Sequence, residues 1–77
     1  MITKDDFISK GAFKIIECSG LIEELFEFEP ESEMVKVSVK HLRGEFSPRR
    51  MISLNDAIGC INEMCSKSKI YNVDAVV

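Results

Sequence analysis

One histidine and three cysteines are the only side chains in this chain that could pair a nucleophile with a base near neutral pH. His41 beside a thiol would make a cysteine–histidine couple, the imidazole taking the thiol proton. No local signature places Cys18, Cys60 or Cys65 next to it, and His41 falls in phase with Val35, Val37 and Val39 at the end of an alternating run. The expected role is that of a strand-end histidine at the rim of the core. The same four residues lack the short ligand spacings of a structural zinc site. On a helix, residues separated like Cys60 and Cys65 lie roughly 140° apart around the axis, so their thiols diverge. Cys18 and Cys65 read as small apolar residues, Cys65 within a core stripe. The acidic run lacks the aspartate–asparagine–glycine pattern of a calcium loop. Glycines 11, 20, 44 and 59 are scattered and form no phosphate-cradling loop. No catalytic residue, metal or cofactor is expected, and the chain reads as a non-enzyme.

Charge is the stronger signal. Between Ile15 and Val35 there are seven glutamates and no lysine or arginine, whereas Lys36, Lys40, Arg43, Arg49 and Arg50 face Glu45 alone in the next stretch. Opposite fields on one small body bias which partners can approach. The acidic surface expected to bind a partner is Glu23, Glu24, Glu27, Glu29, Glu31 and Glu33, and it suits a basic surface on another protein, including one that handles nucleic acid. A second candidate surface is the loop around Arg43, Phe46, Arg49 and Arg50, where cations beside an aromatic could meet phosphates and stack a base. A third is the helix face Asn55, Gly59, Asn62 and Ser66, small and uncharged. Gly59 costs about 1 kcal/mol in a helix interior relative to alanine, which invites close approach of a partner or of a second copy.

The elements that position these residues follow from local pattern. Thr3 with Asp6 three positions on forms a capping box for a short helix ending before Gly11, with Phe7 and Ile8 inward. Residues 12–29 carry both a helical stripe and strand-like alternation at Phe26-Glu27-Phe28-Glu29; the reading adopted is strands over about 13–18 and 21–29. Pro30 to Glu33 is a turn. Met34 to Lys40 alternates valines with polar residues and should pair antiparallel with the preceding strand, setting glutamates opposite lysines. Arg43 to Arg50 reads as a loop, and Arg50 to Ile52 as a short return strand. Ser53 and Asp56 cap a helix over about 54–67, with Leu54, Ala57, Ile58, Ile61, Met64 and Cys65 on its apolar face. Ile70 to Val77 is a final strand, with Tyr71, Val73, Ala75 and Val77 in phase. The expected fold is α+β in a single domain, 1–77: a mainly antiparallel sheet of three to five strands, the long helix across one face, and a short N-terminal helix.

The totals narrow the class. A 77-residue chain with 45% hydrophobic and 30% charged residues has globular rather than disordered composition. Its net charge of −3 argues against generic nucleic-acid coating. An odd number of cysteines without framework spacing fits reduced thiols. The first residues show no signal-peptide pattern, and no apolar run approaches the ~20 residues of a membrane span, so a cytoplasmic protein without membrane contact is expected. Small size, an acidic stretch and the lack of a catalytic signature resemble, in type though not in motif, the small regulators and inhibitors encoded by phages and other mobile elements. The leading expectation is therefore a non-enzymatic, protein-binding regulator or inhibitor. The alternatives are a nucleic-acid-binding module using residues 43–50 and a homodimeric interaction protein.

Overall fold

A computed structural model describes residues 1–17, 20–41, 43–67 and 71–76, with backbone alone for 17, 67 and 71–75. The first element, α1 (Lys4–Lys10), begins at the expected box: the Asp6 N–H donates to Thr3 Oγ1, and the Thr3 N–H donates to the Asp6 carboxylate. Gly11 stops it in a left-handed conformation, φ 84°, donating its N–H to the Phe7 carbonyl. Phe7 is fully buried, its ring packed edge-on against Phe13 at 5.0 Å. Ile8, expected inward, is 53% exposed. Adjacent residues on a helix point about 100° apart, and the slot against Phe13 admits one of them.

Two strands, not a helix, occupy the stretch 12–29 on either side of residues 18–19: β1 (Ala12–Glu17) and β2 (Ile22–Glu29). Gly20, at φ 74°, lies between them. Cys18, which the sequence placed at the end of the first strand, lies outside the described residues. After the turn comes β3 (Met34–His41), antiparallel to β2, with Glu23 opposite Lys40 and Glu27 opposite Lys36 as expected. The next strand, β4 (Ser47–Ser53), is longer than the expected return strand, and it takes in Arg49 and Arg50 from the expected loop. A register shift explains the discrepancy: Val37 faces Arg50 while Ser38 faces Pro48, leaving Arg49 as the extra residue of a bulge. The strand lies at a sheet edge, where proline is tolerated because no ladder bond is lost.

Ser53 then caps α2 (Leu54–Lys67), its hydroxyl accepting the Asp56 N–H at 3.1 Å. The helix carries the chain back across one face of the sheet, and β5 (Tyr71–Ala75) adds antiparallel beside β1. The sheet order is β4-β3-β2-β1-β5, an antiparallel meander closed by one crossover. The fold is α+β, as read from the sequence.

Alternation assigns the two faces. Phe13, Ile15, Phe26, Val35 and Val37 lie under α2 and meet Leu54, Ala57 and Ile61, which with Phe7 make up the buried core. The expected apolar stripe of α2 is correct except at its end. Cys65 is exposed, while Cys60 packs partly against the core. His41 is also exposed, at the strand end beyond half-buried Val39, rather than against the core. Ile70 and Val77 lie outside the described residues.

Candidate protein-binding surface

The acidic stretch is divided by the pleat. Glu23 and Glu27 share the uncovered sheet face with Lys14, Lys36 and Lys40, because β-strand side chains alternate and the hairpin register brings opposite charges level. Glu23 stands between two ammonium groups, Lys40 Nζ at 3.1 Å and Lys14 Nζ at 3.9 Å. Lys36 Nζ lies 3.7 Å from the Glu27 carboxylate. Exposed pairs of this kind contribute roughly 0–1 kcal/mol each, enough to favour the register but not to build a core. They also cancel the field that Glu23 and Glu27 would otherwise project.

Glu24 goes to the other face, in phase with Phe26. There it acts on Cys60 together with Arg50 and Glu63. Burial pushes the Cys60 thiol above its ordinary range; Glu24 and Glu63 push it further, and the Arg50 guanidinium, by charge and by hydrogen bond, pulls it partly back. Arg50, Asp56, Gly59 and Cys60 line an open groove between β4 and α2.

The remaining three carboxylates cluster where the chain reverses. The turn after Pro30 is closed by the Glu33 N–H donating to the Glu29 carbonyl at 2.8 Å, and Ser32 Oγ accepts the Met34 N–H. Glu33 adopts φ 57°, a left-handed conformation uncommon outside glycine and asparagine. Glu31 and Glu33 are exposed and Glu29 is half-buried; among the described residues none of the three enters an ion pair. Glu24 likewise enters no ion pair among the described residues, so Glu31 and Glu33 stand out as the carboxylates that are both unpaired and exposed.

The basic candidates are spread over the segment before β4 and β4 itself. Lys40 Nζ lies 5.7 Å from the Phe46 ring centre, so a cation already occupies one face of the aromatic. Arg43 sits at φ 65° before Gly44, Arg49 is the bulge residue, and Arg50 belongs to the groove beside Cys60. The helix face is also partly committed. Asn62 is hydrogen-bonded to Ile2, and Ser66 Oγ donates to the Glu63 carbonyl. Asn55 and Gly59 remain exposed, and among the described residues nothing beyond the neighbouring helix backbone comes within 4 Å of a Cβ built on Gly59.

One feature escaped the sequence reading. At the end of the sheet nearest the acidic turn, a cavity of about 230 Å³ opens between α1, β2 and the start of α2. Ile8, Phe28 and Leu54 supply its apolar wall, and Lys4, Glu33 and Asn55 its rim. The signal that could have revealed it is the pair Phe7-Ile8, since a seven-residue helix with one buried face must leave one of two adjacent large side chains outside.

Among the described residues no three His, Cys, Asp or Glu side chains are placed to hold a metal ion, and no helix is long and apolar enough to cross a membrane. Comparison with known protein families, characterised proteins and solved structures finds no match.

Proposed function

We propose that this chain is a non-catalytic protein-binding domain, a stoichiometric regulator or inhibitor, that meets a basic partner with the turn Glu29–Glu33. The observation that carries this reading is the division of the acidic stretch. Glu23 and Glu27 are matched by lysines on their own sheet, whereas Glu29, Glu31 and Glu33 enter no ion pair among the described residues. Uncompensated carboxylates on a rigid turn speed encounter with a cationic surface and select against acidic ones. The hydrogen bonds of the turn fix its backbone, which limits the main-chain ordering entropy lost on contact.

The test compares two sets of neutralised variants against an arginine-rich peptide by fluorescence anisotropy. Changing Glu29, Glu31 and Glu33 to Gln should weaken binding at low salt by an order of magnitude or more. Changing Glu23 and Glu27 to Gln should weaken it far less, because their charge is already spent on Lys14, Lys36 and Lys40. Both effects should shrink as the Debye length falls to about 8 Å at physiological ionic strength. Equal losses in the two sets would remove the turn as the binding element.

A further inference from the structure

Charge gives a partner direction and speed, but tight association needs a desolvated apolar anchor within a polar rim. The cavity beside the acidic turn has that form. Its wall is Phe28 and Leu54, both tied to the core, together with Ile8, which the fold leaves 53% exposed. A large aliphatic side chain standing half in water at the mouth of a cavity loses apolar burial that a visitor could restore. At about 230 Å³ the space is smaller than the roughly 300–1,000 Å³ of a small-molecule site. It has room for one side chain.

The rim selects the neighbours of that side chain. Glu33 stands on it, on the turn that also carries Glu31, and the opposing cation is Lys4. Glu33 at the rim, with exposed Glu31 two residues before it on the same turn, outnumbers the one rim ammonium. We infer that the cavity receives an aliphatic side chain of a protein partner flanked by lysine or arginine, the aliphatic group packing on Ile8, Phe28 and Leu54 while a neighbouring cation meets Glu33 and Glu31. This rests on the acidic-turn reading above and adds to it the residue class that anchors the partner.

The experiment uses the full chain, labelled with nitrogen-15, and two synthetic peptides, Lys-Lys-Leu-Lys-Lys and Lys-Lys-Ser-Lys-Lys. Both should shift the amide resonances of Glu31 and Glu33. The leucine peptide alone should also shift Ile8, Phe28 and Leu54, and should bind roughly tenfold tighter, the gain expected from burying one aliphatic side chain. An Ile8→Gln variant, altered at an exposed position, should keep its melting temperature and the turn shifts yet lose the advantage of leucine over serine. Equal affinities, with shifts confined to the turn, would overturn the anchor and leave the acidic reading standing. No shift at the turn with either peptide would overturn the reading beneath it.

Discussion

The side-chain amide of Asn62 holds the backbone of Ile2 from both sides: Oδ1 accepts the Ile2 N–H at 3.0 Å, and Nδ2 donates to the Ile2 carbonyl at 3.0 Å. A neighbouring β-strand would satisfy those two groups in the same way. Here one side chain on α2 does so and ties the start of the chain to its last helix. The contact is partly buried, so an Asn62→Ala variant loses two bonds in a place water reaches incompletely. Stability should fall by about 1–2 kcal/mol. Urea unfolding measures the loss, and amide exchange at Ile2 should quicken in parallel. An unchanged midpoint would mean that solvent serves Ile2 as well as Asn62 does.

Gly59 carries the opposite expectation. It sits in the middle of α2, is exposed, and has nothing within 4 Å of the position a Cβ would occupy. Its backbone is helical rather than left-handed, so alanine meets neither a clash nor backbone strain. Removing the extra backbone freedom of glycine from the unfolded chain should stabilise the protein by roughly 0.5–1 kcal/mol. A Gly59→Ala variant should therefore melt several degrees higher by circular dichroism. A lower melting temperature would reveal a packing role that the geometry does not contain.

How much of this was open to sequence reasoning depends on how local the cause is. The Thr3–Asp6 box, the valine alternation of β3 and the glutamate–lysine register of the hairpin are short-range effects. Each is visible because its partners lie within one turn or across one tight reversal. The apolar stripe of α2 was legible along most of its length. It failed at Cys65, because where a helix face leaves the sheet depends on how far the sheet extends beneath it. The strand Ser47–Ser53 was hidden by its own bulge. One extra residue at Arg49 breaks the period-two pattern, and Pro48 reads as a loop signal unless the strand is known to lie at an edge. The acidic stretch looks continuous along the chain, but the pleat sends Glu24 to the opposite face from Glu23 and Glu27. The grip of Asn62 on Ile2 joins segments far apart in sequence, and no local pattern encodes it; the cavity also joins distant segments, and the adjacent pair Phe7-Ile8 is its one local trace.

Cys60 offers a chemical test of the groove between β4 and α2. Burial is the largest influence on its thiol, and Glu24 and Glu63 act in the same direction, so the folded protein holds the proton to higher pH than an ordinary cysteine. Thiolate is the species that alkylates, which makes Cys60 slow and the exposed Cys65 fast at mildly alkaline pH. Peptide mapping after timed iodoacetamide treatment should show that order. Glu24→Gln removes one influence that favours the protonated form and should accelerate Cys60. Arg50→Gln removes the opposing cation and should slow it. The linkage sign follows from the same asymmetry. A proton bound more tightly in the folded state contributes stability that is complete below the unfolded thiol's pKa and disappears as pH climbs through the folded value. The protein should therefore lose stability on the alkaline side, and a Cys60→Ser variant should lose less of it there. Alkylation of Cys60 as fast as Cys65 would show that the groove neither buries the thiol nor surrounds it with carboxylates.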